Sequence, residues 1–139
     1  MLLIADTTVI SNFALIDRLD LLFDLKEVCT TDQVFEELKA GIQRGVLEID
    51  LSDLGSKILR LKNTETNTFF RFSESFGQGE ASCLAIAFHR NSGILTDDLD
   101  ARKFAQKGGI SVSGSIGVLV KSVEYGQYLW SGGMSCFKK

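Results

Sequence analysis

Two apolar runs in this chain stop abruptly on aspartate. Leu2 to Ala5 gives way to Asp6, and Ile94 to Thr96 gives way to Asp97 and Asp98. Each run reads as a strand, and each is followed by residues at helical spacing. A strand that ends on a carboxylate and turns into a helix delivers that carboxylate to the carboxyl edge of a sheet, where the working groups of open α/β folds gather. The recurrence of this unit constrains the fold more than any other feature of the sequence.

The segments between the two runs continue the alternation. Ser11 can cap a helix carrying Phe13, Ile16, Leu19, Leu22 and Phe23 down to about Leu25. Glu27 to Thr31 reads as a second strand, and Thr30 to Gln33 has the Thr-x-x-Gln form of a capping box opening a helix with Val34, Phe35 and Leu38 on its apolar side. Gly41 and Gly45 end that helix. Val46 to Leu51 alternates as a short strand or an extended crossover, and Asp53 opens a candidate helix with Ile58, Leu59 and Leu61 on one face. Asn63 to Phe76 reads as a helix or a lid. Gly77 to Glu80 is a turn into an Ala-rich helix that carries Leu84, Ala87 and Phe88 inward and is closed by Asn91-Ser92-Gly93. After Asp98 come a charged helix through Arg102, Phe104 and Lys107, a break at Gly108-Gly109, a strand over Ile110 to Ser113, and a last helix from Ser115 to about Leu129. Crossovers long enough to hold helices imply parallel strands covered on both faces, so the expected fold class is α/β, a three-layer α/β/α sandwich around a mostly parallel sheet.

Composition narrows the possibilities further. With 139 residues, 45% of them hydrophobic, the expectation is a single domain over 1–139 that can bury a core, and the absence of proline leaves its turns to Gly, Asn, Asp and Ser. Cys29, Cys83 and Cys136 are too few and too irregularly spaced for a disulfide framework or a zinc site, which suggests a cytoplasmic home. The short opening MLLIA runs into Asp6, so neither a signal peptide nor a membrane span is expected. A net charge of -3 argues against nucleic-acid binding by bulk electrostatics. Local cations for a rim are Arg71, Arg90, Arg102, Lys103, Lys107, Lys138 and Lys139, although basic side chains on helices are commonly a solvated face.

Asp6, Glu37, Glu80 and the pair Asp97 and Asp98 all lie where a strand or turn becomes a helix, or just inside that helix. In a doubly wound sheet these places converge on one rim. Carboxylates about 4 Å apart repel by roughly 1 kcal/mol in water and about 4 kcal/mol at an effective dielectric of 20, so such a cluster calls for a cation. Oxygen ligands without His or Cys favour Mg2+ or Mn2+, the ions of phosphate chemistry, and imply hydrolysis of a phosphodiester by an activated water. Taken singly, each acid has a plainer role: Glu80 or Asp98 would also complement the positive end of a helix, worth about 0.3 to 1 kcal/mol. The lone His89, late in the Ala-rich helix, suits a surface position better than a base.

The motifs DTTVISNF, VFEEL, GEASCLAIA and ILTDDLDARKFA, in this order, resemble those of PIN-domain ribonucleases, the VapC-like toxin family. The Gly-x-Gly-Glu-Ala step and the closing GGISVSGSIGVLVK are similar to a poorly characterised prokaryotic branch of it. The resemblance implies that Asp6, Glu37, Glu80 and Asp98 are the catalytic acids and metal ligands, with Asp97 a further candidate ligand and Thr8 and Thr96 in support. It also implies an endoribonuclease acting on RNA, restrained by an antitoxin protein and often a homodimer. The third acid is Glu80 where many relatives carry Asp.

Two other classes remain. Asp6 followed by Thr8 is similar to the opening of phosphatases that use an Asp-x-Asp pair, but Thr8 replaces the proton donor, which leaves a phospho-acceptor domain using Asp6. An inactive PIN-like interaction module would instead meet a partner through the basic rim or through Phe69, Phe70 and Phe72.

Overall fold

The structure, a computed structural model, describes residues 2–25 and 27–121. The last helix beyond residue 121, the tail after Leu129, Cys136 and the terminal lysines fall outside the described residues.

Five short strands, β1 (Leu3–Ala5), β2 (Val28–Thr31), β3 (Ile58–Leu59), β4 (Gly93–Leu95) and β5 (Val112–Ser113), form one parallel sheet in the order β3-β2-β1-β4-β5. Register is set by Ile4 opposite Cys29 on one side and Ile94 on the other. The chain winds outward from β1 through β2 to β3, then returns across β1 to β4 and β5, so the order reverses between β1 and β4. Such a reversal opens a crevice at the carboxyl ends of those two strands. The crossovers carry α1 (Thr7–Leu15) and α2 (Leu19–Phe23), then α3 (Asp32–Gln43), then α5 (Gln78–Arg90) and α6 (Leu99–Lys107); α1 packs against α2 and α3, and α5 against α3, α6 and strands β1, β2 and β4. α4 (Asn63–Phe72) packs against α5. The expected three-layer α/β architecture is what the chain adopts. Among the described residues no helix is long and apolar enough to cross a membrane.

The core is built from the strands and one face of each covering helix; Ile16, expected on the apolar side of the first helix, is exposed because that helix has already ended at Leu15. Ile4, Ile94 and Leu95 on the sheet and Val9, Ile10, Leu22, Val34, Leu38, Leu84 and Ile86 on the helices are all buried. Burying one such aliphatic side chain contributes about 1.5 to 3 kcal/mol, enough across this set to hold strands of two to four residues together.

Several boundaries differ from the sequence expectation for local reasons. The first helix starts at Thr7, not after Ser11, because the Asp6 carboxylate accepts from Val9 N and caps it. It stops at Leu15, where Asp17 turns left-handed at φ 56°, and α2 resumes at Leu19. The cap of α3 is Thr31, which accepts from Val34 N, because Thr30 donates its hydroxyl to Ala5 O and ties β2 to β1. Val46 to Leu51 is an extended crossover. The segment expected as a helix from Asp53 is a 3-10 turn, Ser52–Lys57, followed by the edge strand β3. Phe88, expected inward, is 53% exposed. Asn91, left-handed at φ 53°, closes α5 as expected.

Candidate active site at the switch point

Asp6 sits at the end of β1 with none of its surface exposed. Its Oδ1 accepts from the Thr8 hydroxyl at 2.6 Å and from Val9 N at 3.2 Å, and its Oδ2 accepts from the Thr96 hydroxyl at 2.5 Å. Thr96 follows β4, so this last bond closes the crevice between the two strands. Burial pushes the Asp6 carboxyl above its ordinary range, against the lowering effect of the Thr8, Thr96 and Val9 hydrogen bonds. Thr8 and Thr96 each make a second bond as well. Thr8 also accepts from Asp97 N at 3.2 Å, and Thr96 from Asp98 N at 3.1 Å.

Glu37 comes from the second turn of α3 and reaches the start of α5. Its Oε1 accepts from the Thr7 hydroxyl at 2.5 Å and its Oε2 from Gly79 N at 3.1 Å. The approach is possible because residue 79 is glycine: a Cβ there would lie 2.3 Å from Glu37 Oε1 and 3.1 Å from Thr7 Oγ1. Glu80 follows directly in the first turn of α5. Its carboxyl is pushed up to about 7 by burial first, then by the charges of Asp98 and Asp6, by a hydrogen bond with Asp98 and by the charge of Glu37. Four carboxylates drawn from β1, α3, α5 and the α6 N-terminus are thus electrostatically coupled.

Asp97 and Asp98 point to different tasks, as adjacent residues at the end of a strand do. Asp98 caps α6 through its Oδ2, which accepts from Ala101 N at 2.9 Å, and it meets Glu80 on the acid side. Asp97 turns to the outer wall. It accepts from Asn12 Nδ2 at 2.7 Å, from Ser115 N at 2.8 Å and from the Ser115 hydroxyl. Burial would raise its pKa, but these bonds from Ser115 and Asn12 and the charge of Arg102 outweigh burial and lower it.

Thr7, Gly79, Asn12 and Ser115 were not singled out from sequence as site residues. The neighbours of Asp6 and Glu80 in the chain were the available signal for Thr7 and Gly79, while nothing local marks Asn12 and Ser115 as partners of a residue on β4. Of the candidate basic rim, Arg90 is used otherwise. It bonds Glu65 at 2.8 and 2.9 Å and Arg60 O at 2.7 Å, locking α5 to the buried Glu65 of α4. His89 is exposed and bonded to Thr68, away from the acids.

Among the described residues no group of three Asp, Glu, His or Cys side chains stands ready to hold a metal ion. Carboxylates without a counter-ion repel one another, so the ligands of a cation here would have to draw together on binding. The chemistry of the donor set nevertheless fits a hard divalent cation: all oxygen, mostly carboxylate, at the mouth of a crevice, with Asp6 Oδ2 accepting a single hydrogen bond.

Comparison with known proteins bears on this arrangement. No curated protein matches the chain. Among solved structures, a PilT N-terminus domain protein from the hyperthermophilic archaeon Sulfolobus solfataricus is similar with a TM-score of 0.57 at 15% identity, over 89% of this chain and 95% of that one. FitAB, solved bound to an IR36 DNA fragment, is similar with a TM-score of 0.56 at 15% identity, over 82% of this chain and 95% of that one. At such identity these likenesses speak for the fold alone. The model of the DUF3368 family, described as a PIN domain, matches residues 2–129. With nearly the whole chain matched by that model, this protein belongs to the PIN-domain family.

Proposed function

We propose that the chain is a single nuclease domain over 1–139, an endoribonuclease dependent on Mg2+ or Mn2+ and the toxin half of a toxin–antitoxin pair. The observation that carries this is the convergence of Asp6, Glu37, Glu80 and Asp98 on the switch point, where burial first and then the charges of the other three push the Glu80 carboxyl up to about 7. An acid cluster with such mutual strain is a poor structural device and a good cation site. Asp6, Glu37, Glu80 and Asp98 are the residues that would hold the ion, with Thr8 and Thr96 fixing the orientation of Asp6. A bound divalent cation supplies charge neutralisation at the scissile phosphate and a more acidic water.

The protein's own contributions follow from the geometry. Asp6 is positioned by two hydroxyls and a backbone amide, so its oxygens are fixed before substrate arrives. Thr7 and Gly79 hold Glu37 by one oxygen each. Glu80, titrating near neutrality, can take or release a proton at its carboxyl when the cluster gains or loses positive charge. Thr8 stands where a phosphate-accepting aspartate needs a proton donor, and its hydroxyl is already given to Asp6 Oδ1, which disfavours use of Asp6 as a nucleophile. The fold shared with FitAB, solved on DNA, is compatible with work in a nucleic-acid-bound assembly, with an antitoxin protein and a second copy of the chain as partners.

The test is a Mn2+ titration by calorimetry alongside cleavage of single-stranded RNA. Cleavage that requires Mg2+ or Mn2+ and is lost in Asp6→Asn is the expected result. No cleavage with either ion, or full activity in that variant, refutes the assignment.

A further inference from the structure

A groove of about 510 Å3 lies on the outer side of Asp97, between the first turn of α6 and the helix that opens at residue 115. Asp97 N donates to the Thr8 hydroxyl at 3.2 Å, and that hydroxyl donates to Asp6, so the groove adjoins the residues that hold Asp6. Its rim carries two aliphatic side chains turned to solvent, Leu99 at 68% and Ile116 at 79% exposed. Its wall carries one cation. Arg102 donates Nη1 to Thr96 O at 3.0 Å, which pins the guanidinium on the wall, where its charge also acts on Asp97.

The wall is rigidly made. The Asp97 carboxylate is held in place by neutral donors from Asn12 and Ser115, and the positive charge that balances it comes from Arg102. At the bottom, Gly114 has no room for a side chain: a Cβ there would lie 2.4 Å from Asp97 Oδ1 and 2.7 Å from Arg102 Nη1. An open groove with apolar rims and one anchored guanidinium suits a flat, partly apolar ligand that offers an acceptor to Arg102. Single-stranded RNA offers that unit at every step, because an unstacked base can lie on apolar side chains while its phosphate meets arginine.

Resting on the nuclease assignment above, we propose that this groove is the subsite for the nucleotide adjoining the cleaved bond. The base lies against Leu99 and Ile116, and Arg102 binds the phosphate. A subsite built this way prefers single strands, since a base held in a duplex cannot reach it.

Methyl NMR of the full chain in EDTA, titrated with tetrauridylate and separately with tripolyphosphate, tests the subsite without any need for catalysis. Tetrauridylate should shift the Leu99 and Ile116 methyls strongly, and tripolyphosphate, which has no base to lie on them, should shift them less. Arg102→Ala should weaken tetrauridylate binding about tenfold, the equivalent of one charge-assisted hydrogen bond. Leu99→Ser with Ile116→Ser, a surface change that spares the fold, should weaken it as well. Shifts confined to other methyls, an equal response to tripolyphosphate, or unchanged affinity in the Leu99/Ile116 variant would each overturn the proposal. RNA seated in the groove of a chain that cleaves nothing with Mn2+ would instead keep the subsite and remove the nuclease assignment.

Discussion

Gly79 donates its backbone N–H to Glu37 Oε2 at 3.1 Å, and a Cβ added to it would stand 2.3 Å from the other oxygen of the same carboxylate. The atom in the way is the tip of a flexible side chain, so Gly79→Ala should fold and Glu37 should swing away. Residues that orient metal ligands typically cost about 10- to 100-fold in affinity or activity when changed, and Gly79→Ala should fall in that range for Mn2+ affinity. Calorimetry on a variant of near-normal Tm checks this. Wild-type affinity would mean that Glu37 is not a ligand.

Glu80 makes the metal-free protein sensitive to pH in a direction opposite to the usual carboxylate. Its folded-state value of about 7 lies above the ordinary 4.5, so the folded chain binds this proton more tightly than the unfolded chain does. Below about 4.5 both states are protonated and nothing is lost. Stability then declines as pH rises towards 7 and is level, for this group, above it. Glu80→Gln should flatten that decline and melt higher than wild type at pH 8 in EDTA, and Mn2+ should narrow the difference. Thermal melts across pH 4.5 to 8 settle it; identical slopes in the two proteins would rule out the coupling.

Asp6→Asn should separate activity from stability. The Asp6 carboxyl is raised by burial, so replacing it with a neutral isostere removes a buried charge while one threonine hydroxyl rotates to accept from the new amide. At pH 8 without metal the variant should melt at or above the wild-type temperature, yet lose activity by roughly a hundredfold or more, as expected for a ligand rather than its support. A variant that is unfolded at pH 8 would show that the fold needs a carboxylate accepting from both Thr8 and Thr96, a role an amide cannot fill.

What could be read from the chain, and what could not, follows the range of the forces involved. The strand-then-acid units at Asp6 and Asp98 were legible because hydrophobic alternation and turn chemistry are local, and the parallel sheet followed from crossover length. The start of α1 was misplaced because Asp6 was weighed only as a site residue, although the same carboxylate caps the helix at Val9. Thr30 and Thr31 are equally good caps on paper. Only the contact of Thr30 with Ala5, 25 residues away, decides between them. The choice between Asp97 and Asp98 rests likewise on Asn12 and Ser115, which are 85 and 18 residues from Asp97.

That choice yields the sharpest contrast. Asp98 caps α6 through Ala101 N, and asparagine caps a helix about as well as aspartate, so Asp98→Asn should keep its stability while losing metal binding and activity. Asp97→Asn should do the reverse. Its amide cannot serve all the donors of Asn12 and Ser115, and leaving such groups poorly paired costs about 1 to 3 kcal/mol, a Tm drop of several degrees. The lowered pKa of Asp97 means that its contribution is complete above the ordinary 3.8 and is lost as pH falls through the folded value, so the gap between wild type and Asp97→Asn should close in acid. Melts at pH 7 and pH 3, paired with Mn2+ titration of both variants, read the two roles separately. If Asp97→Asn keeps its Tm and loses the metal, then Asp97 is the ligand and Asp98 the cap.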